Sequence, residues 1–193
     1  MSLDGASSGD QLGGVGRAEK IQPLTVEESK QLLSAVADDR LFAFYAVALA
    51  MGLRRGEALG LRWDDIDFDT GVLHVRRALQ YVDKQLAFVD PKTTRSRRSI
   101  PMPDVCIRAL TAHRSRQAEE RLAAGPRWTD HNLVFPSVIG TPLDPRNVSR
   151  RFTELCKVAG LRHIRLHDLR HTCAHPAPRS GRRPARRDGD PRA

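Results

Sequence analysis

The most apolar run of the chain leads directly into a basic segment, and residues 41–59 read LFAFYAVALAMGLRRGEAL. Apolar side chains occupy almost every position of the first part, which predicts a helix buried on all sides. Gly52 suits the left-handed residue that ends such a helix, and residues 55–61 suit a short helix after it. We therefore expect Arg54 to be held firmly at the end of a buried helix, with Glu57 three residues further on to orient it.

Helical patterns flank a strand-rich region, so the fold class is predicted to be α+β and mainly α. In residues 66–101 apolar and polar residues alternate around short turns, which indicates a small antiparallel sheet of about three strands. Thr25 and Glu28 form a capping box that starts the first helix. The other predicted elements are the remainder of that helix to about Ala37, a polar and surface-exposed helix from Asp104 to about Ala124, a buried segment at Leu133–Phe135, a helix from Asp144 to Gly160 that buries Val148, Phe152, Leu155 and Val158, and a last helix near His167.

The composition predicts a soluble protein with a polyanionic partner. The formal net charge is +9, and nucleic acids are the commonest polyanions that basic proteins bind. A basic surface without such a partner is the alternative. No apolar run approaches the roughly 20 residues that span a bilayer. Three widely spaced cysteines, Cys106, Cys156 and Cys173, fit a reducing compartment better than a disulfide framework. We expect a cytoplasmic protein associated with the nucleoid.

Two further segments carry residues suited to phosphate chemistry. A basic turn, PKTTRSRRSIP at residues 91–101, presents Lys92, which could donate a proton or bind a phosphate. The segment LHDLRHT at residues 166–172 places His167 and Arg170 three residues apart, hence on one face of a helix. A histidine and an arginine that converge suit a pentavalent phosphate, because one manages a proton and the other neutralises charge. Taken singly, each segment is weak evidence, and a solvated charged surface is the usual explanation of a charge run such as the lysine turn.

In this order the three segments resemble the tyrosine recombinases, the phage-integrase family of DNA strand-exchange enzymes. The resemblance runs from about Pro23 to Ala174 and includes LRWDDID at residues 61–67 and LVFP at residues 133–136. It implies a helical catalytic domain of the tyrosine-recombinase type with a small antiparallel three-stranded sheet. It also implies site-specific recombination or integration of double-stranded DNA through a phosphotyrosyl intermediate. No metal or nucleotide cofactor is implied, because the protein–DNA link conserves the energy of the broken bond.

The resemblance also assigns roles to individual residues. Two arginines match those that grip the scissile phosphate, a lysine matches the acid that protonates the 5′-hydroxyl leaving group, and a histidine matches the one beside the phosphate. The catalytic set is Arg54, Lys92, His167 and Arg170, with Glu57 supporting the first arginine. The arginines expected to bind DNA phosphates are Arg55, Arg95, Arg97, Arg98, Arg146, Arg150 and Arg151.

The chain departs from the family pattern after the His-x-x-Arg segment. Residues 175–193 contain no Val, Ile, Leu, Met, Phe, Tyr or Trp, so we expect a basic disordered tail. Codons compatible with this tail can be read in a shifted frame as an apolar helical segment, so we expect a frameshift. A genuine basic extension that clamps DNA is the alternative. Residues 1–20 are predicted to be a disordered leader, and residues 21–174 an incomplete integrase-type catalytic domain.

The family's nucleophilic tyrosine has no counterpart in the expected place. The tyrosines of the 193 residues are Tyr45 and Tyr81, and both precede the His-x-x-Arg segment. We therefore expect a catalytically incomplete chain that is monomeric or unstable, although the parent enzyme would be a tetramer on DNA. A non-catalytic DNA-binding protein is the main alternative function. A zinc hydrolase is a weaker alternative, because His167 and His171 are spaced like the ligands of a zinc helix but no third ligand presents itself.

Overall fold

A computed structural model of the protein describes residues 22–90 and 97–172. The predicted leader and tail, the turn residues 91–96 with Lys92 and Arg95, and Cys173 lie outside the described residues. Six α-helices and five strands occur in the described part, so the predicted α+β class with mainly helical content is confirmed. The helices are α1 (Val26–Ala35), α2 (Phe42–Met51), α3 (Arg55–Leu59), α4 (Asp104–Ala124), α5 (Pro145–Val158) and α6 (Leu169–Thr172).

Helix α2 lies at the centre of the fold, as its all-round apolar sequence predicts. Helices α1, α3, α4 and α6 all pack against it. Phe44 and Tyr45 are fully buried and make edge-to-face ring contacts with each other, while Phe44 also contacts Phe135. Gly52 ends the helix with φ 62° and ψ 31°, the left-handed conformation that glycine adopts without steric cost. This turn delivers Arg54 to the start of α3.

The strands form two separate antiparallel units rather than one. Strands β1 (Ile66–Asp67), β2 (Val72–Val75) and β5 (Arg98–Pro101) make a three-stranded sheet in the order β1-β2-β5. Strands β3 (Ala78–Val82) and β4 (Gln85–Val89) make a two-stranded ribbon. The prediction of about three strands in residues 66–101 therefore holds for the sheet but missed the ribbon.

The ribbon is separate because it packs against helix α3 instead of joining the sheet edge. Leu79 of β3 is buried, and α3 approaches its backbone so closely that a Cβ on Gly56 would lie 2.7 Å from the Leu79 carbonyl oxygen. Only glycine permits this approach. The tip of the ribbon turns at Asp83 and Lys84, which both have positive φ, as the tightest hairpin turns require.

Helix α4 was predicted to be surface-exposed, and this prediction was wrong for one face. Cys106 and Leu110 are fully buried there, and a polar pair, His113 and Gln117, is buried as well. The ring Nε2–H of His113 donates to the carbonyl oxygen of Val134 over 2.6 Å, and the Gln117 amide donates to the carbonyls of Leu133 and Val134. Polar residues can be buried here because they satisfy backbone carbonyl groups of the confirmed buried segment 133–135.

Helix α5 begins and ends as predicted but buries a different set of residues. Asp144 caps it by accepting from the Arg146 backbone N–H, and Gly160 follows it with φ 66°. The buried positions are Pro145, Val148, Phe152 and Cys156, the last three spaced four residues apart, whereas Val158 is 83% exposed. Position 158 is six residues from Phe152 and so points away from the face that Phe152 buries.

The ends of two helices differ slightly from the prediction. Helix α1 ends at Ala35 rather than Ala37, and α3 ends at Leu59 rather than Leu61, where the chain is already turning into the next segment. Among the helices of the described ranges, none combines the length and apolar character that a transmembrane span requires.

The burial of His113 predicts a pH dependence of stability. Burial, followed by the nearby charges of Arg116 and Arg40, lowers the pKa of His113 to about 4 in the folded protein, against about 6.5 in an unfolded chain. The unfolded state therefore takes up a proton first. The contribution of His113 to the free energy of unfolding is at its maximum above about pH 6.5 and falls by about 3 kcal/mol as the pH drops toward 4. Urea unfolding at a series of pH values measures this.

The matched variant is His113→Leu, which should flatten the curve in that pH range because the group that takes up the proton on unfolding is absent. Equal pH slopes for the wild type and His113→Leu would show that His113 does not remain neutral in the fold.

Candidate active site

One open cleft is lined by two of the predicted catalytic residues, Arg54 and His167, which come from opposite ends of the chain. It has a volume of about 900 Å³ and lies between helix α3, the β3–β4 ribbon, the start of α5 and the turn at residue 167. Its lining residues are Arg54, Arg55, Gly56, Glu57, Ala78, Leu79, Gln80, Tyr81, Val82, Val89, Asp90, Pro145, Arg146 and His167. Arg54 and His167 therefore share one cleft, although 112 residues separate them in the sequence.

Arg54 occupies the residue just before α3, and Glu57 anchors it there. The Arg54 Nη1 donates to Glu57 Oε1 over 2.8 Å, and the Arg54 backbone N–H donates to Oε2 over 2.9 Å. The Arg54 side chain is 51% exposed, whereas that of Glu57 is only 6% exposed. The acid is thus fixed inside the protein, and the arginine projects from it toward the cleft.

Glu57 has a second arginine partner that local spacing could not reveal. Arg98 of strand β5 donates both terminal nitrogens to the two carboxylate oxygens, over 3.0 and 2.8 Å. Burial of Glu57 acts to raise its pKa, but the hydrogen bonds from Arg98 and Arg54 outweigh burial and hold the pKa at about 2. Glu57 is therefore ionised throughout the physiological pH range.

The predicted last helix near His167 begins with a short turn. Residues Leu166–Asp168 make one turn of 3₁₀ helix, which continues into α6. Leu166 and Leu169 are buried and anchor this turn, while His167 between them is exposed and lines the cleft. Arg170 is half-buried one turn later and is not among the lining residues.

Around the lysine segment, the structure describes the residues on either side, which end at Asp90 and begin again at Arg97. Lys92 lies outside the described residues, but Asp90 lines the cleft. The Arg97 Nη2 makes an ion pair with Asp90 Oδ2 over 3.0 Å, so the two ends of segment 91–96 are joined. Asp90 also borders a second, smaller hollow of about 420 Å³, lined by His74, Val75, Arg76, Arg77, Arg97, Arg98 and Ser99.

The other arginines expected to bind phosphate divide into two groups. Arg55 and Arg146 line the cleft, and Arg55 also donates to the hydroxyl of Ser149 over 2.6 Å. Arg150 and Arg151 do not line it. Arg150 is exposed and donates to Asn147, while Arg151 donates over 2.9 and 2.6 Å to the buried carboxylate of Asp39.

The sequence reasoning missed Tyr81 as a residue of the cleft. Its hydroxyl donates to Asp144 Oδ2 over 2.7 Å, and the Arg146 guanidinium carbon lies 4.4 Å from the centre of its ring. The hydrogen bond to Asp144 raises the pKa of Tyr81. Tyr45 is fully buried in α2, and burial raises its pKa as well. The alternation of strand β3 was the one available signal for Tyr81, but it does not say what the strand faces.

Metal binding finds no support in the described part of the chain. Within residues 22–90 and 97–172, no group of three or more His, Cys, Asp or Glu residues is arranged to hold an ion. His167 instead lies in a cleft with Arg54, Arg55 and Arg146. Several cations around one cleft suit an anion better than a metal.

The contact between Tyr81 and Asp144 predicts a tyrosine titration. In Asp144→Asn the phenol loses its carboxylate acceptor, so the Tyr81 pKa should fall toward its ordinary value, while asparagine still caps α5. The absorbance of the phenolate against pH measures this. Asp90→Asn is the control, because Asp90 lines the same cleft without a hydrogen bond to Tyr81. An unchanged titration in Asp144→Asn would contradict the contact.

Known proteins match the chain over most of its length. The model of the phage integrase family matches residues 22–181. A tyrosine recombinase XerC-like protein of Caldanaerobacter subterraneus is 34% identical over 171 residues, which is 80% of this chain and 43% of the relative. The ICEBs1 integrase of Bacillus subtilis is 33% identical over 148 residues, with 76% and 40% covered.

Solved structures agree with the sequence relatives. The Tn1549 transposon integrase in complex with transposon right-end DNA matches with a TM-score of 0.68 and 26% identity, covering 81% of this chain and 53% of that one. The XerA recombinase matches with a TM-score of 0.61 and 25% identity, covering 79% and 48%. The chain spans about half or less of the length of these proteins. With its family match, its relatives and its fold in agreement, the chain belongs to the phage integrase family of tyrosine recombinases.

Proposed function

We propose that this chain is the greater part of the catalytic domain of a site-specific DNA recombinase or integrase, and that its cleft binds one phosphodiester group of double-stranded DNA. The observation that carries the proposal is the joint presence of Arg54, fixed on the buried Glu57, and His167 in one cleft. The related Tn1549 integrase is itself bound to transposon DNA. A net charge of +9 supports the same partner.

The chemistry follows from what a phosphodiester requires. As a nucleophile attacks the phosphorus, negative charge grows on the non-bridging oxygens, and fixed guanidinium groups stabilise it. We assign this role to Arg54 and Arg170. His167 supplies a hydrogen bond beside the phosphate, and Lys92 donates a proton to the 5′-oxygen as its bond to phosphorus breaks, which gives the 5′-hydroxyl. Arg55 and Arg146, which line the same cleft, hold the neighbouring backbone.

Cleavage requires a nucleophile that DNA binding does not. A tyrosine must attack the phosphorus to form the phosphotyrosyl intermediate. Tyr45 is fully buried in the core, and the Tyr81 hydroxyl is held by Asp144. We therefore propose that these 193 residues bind DNA without cutting it. We also propose that residues 21–174 form the catalytic domain and that a frameshift produced the tail. We propose further that this chain is monomeric or unstable, that the parent enzyme is a tetramer on DNA, and that the protein is found at the nucleoid.

For these 193 residues, strand cleavage as in the family is the alternative, and the proposed function is a non-catalytic DNA-binding role. The placement of the two tyrosines favours it, since the cleft can hold a phosphate without any covalent step. Trapping separates the two functions. With nicked duplexes of random sequence, an enzyme leaves protein covalently joined to DNA on a denaturing gel, and a binding protein does not. We expect binding without an adduct, and an adduct through Tyr81 or Tyr45 would overturn this.

Removal of Arg54 tests the cleft itself. In Arg54→Ala the affinity for duplex DNA should fall by about tenfold, because a charged hydrogen bond to a phosphate is lost. The slope of log affinity against log salt should shrink by about one. Fluorescence anisotropy with a labelled duplex measures both quantities. Arg127→Ala removes an exposed arginine outside the cleft and should change the affinity less than twofold. Equal losses of affinity in the two variants would show that DNA binds outside the cleft.

Chelation tests the zinc alternative. Treatment with EDTA should leave both the DNA affinity and the melting temperature unchanged, because the described residues contain no group of three or more His, Cys, Asp or Glu side chains placed to hold an ion. Differential scanning fluorimetry and the same binding assay provide the measurement. A melting temperature that falls with EDTA and recovers with added zinc would revive the hydrolase.

A further inference from the structure

Glu57 is shared by two arginines that come from different parts of the fold. Arg54 precedes helix α3, three residues from Glu57, whereas Arg98 lies 41 residues away on strand β5. The position of Arg98 is fixed by the sheet, because it pairs with Val75 in the register of β2 and β5. The Glu57 carboxylate therefore links helix α3, which follows Arg54, to the three-stranded sheet.

The geometry of Arg98 differs from that of an arginine available to a ligand. Both of its terminal nitrogens are engaged by the two oxygens of Glu57, and its side chain is only 29% exposed. Arg54 uses one terminal nitrogen on Glu57, and half of its side chain stays open to the cleft. Two parallel hydrogen bonds define the orientation of a carboxylate more tightly than one.

The charges of Arg54, Glu57 and Arg98 also distinguish the two arginines. Arg54 and Glu57 alone would form a neutral pair, which attracts a phosphate weakly. The second guanidinium neutralises Glu57, so the three groups together carry one net positive charge, and the exposed part of it is Arg54. Removal of Arg98 would leave Arg54 as the sole ionic partner of a buried carboxylate and would draw it inward, because a buried charge must be compensated.

We propose that Arg98 is a positioning residue, which holds Glu57 in place and thereby keeps Arg54 directed at the DNA phosphate. It does not contact the phosphate itself. This replaces the direct phosphate contact expected of Arg98 from the sequence. The inference rests on the proposed function, since it concerns how the cleft holds its phosphate.

A double-mutant cycle on the full chain tests the inference. Anisotropy with one labelled duplex gives the affinities of the wild type, Arg54→Ala, Arg98→Gln and the double variant. If Arg98 acts through Arg54, Arg98→Gln alone weakens binding by about tenfold. In the Arg54→Ala background the same change then has an effect of less than twofold. If Arg98 contacts DNA directly or acts by its charge at long range, the two losses multiply, and the inference is overturned.

Arg97 provides the matched control, since it is the neighbouring residue, bears the same charge and is 59% exposed. The effects of Arg97→Gln and Arg54→Ala should multiply, because Arg97 does not touch Glu57. Arg98→Lys provides the second test, because it keeps the charge and loses the fork. It should lose most of the affinity that Arg98→Gln loses. Full affinity in Arg98→Lys would show that only charge matters.

Two outcomes separate this inference from the proposed function. If Arg54→Ala binds DNA as tightly as the wild type, the cleft is not the DNA site, and both proposals fall. If Arg54→Ala weakens binding but Arg98→Gln does not, the proposed function stands and only the role of Arg98 is rejected. Circular dichroism of each variant monitors folding. If Arg98→Gln and Arg98→Lys are both unfolded, Arg98 is a folding residue and the inference is likewise rejected.

Discussion

The candidate site depends on one buried ion cluster, in which the Glu57 carboxylate lies between Arg54 and Arg98. An unpaired carboxylate at this depth would be protonated or would destabilise the fold, so the two guanidinium groups are a condition of its burial. The cluster sets the direction of Arg54 and ties α3 to the three-stranded sheet. Because Glu57 stays ionised, this arrangement does not change over the pH range in which a cell works.

The same device recurs at two other buried acids. Asp39 is paired with Arg151, and Asp65 with Arg77, each through contacts shorter than 3 Å between residues that lie apart in sequence. Part of the arginine excess thus serves the interior of the fold, and the net charge of the chain overstates the number of arginines open to a ligand. Arg55 and Arg146 line the cleft and stay proposed phosphate contacts.

The elements that could be predicted from sequence are those with a local cause. The apolar run of α2, the glycine that ends it, the capping box at Thr25 and the aspartate cap of α5 each act within a few residues, and each lies where expected. The ribbon, the buried polar face of α4 and the partner of Glu57 depend on contacts between distant segments. No spacing within one segment reveals that Arg98 meets Glu57 or that Tyr81 meets Asp144. Of the four predicted catalytic residues, Arg54 and His167 line one cleft, and the roles of all four stay predictions.

Membership of the phage integrase family and a cleft lined by Arg54, Arg55 and Arg146 support the proposal that this fold holds a phosphodiester group between fixed arginines. The most direct measurement is a crystal structure of the chain with a short DNA duplex. The account predicts a backbone phosphate within hydrogen-bond distance of Arg54 and His167, with the Glu57 cluster intact behind it. DNA seated on a different face, with the cleft open to solvent, would contradict it.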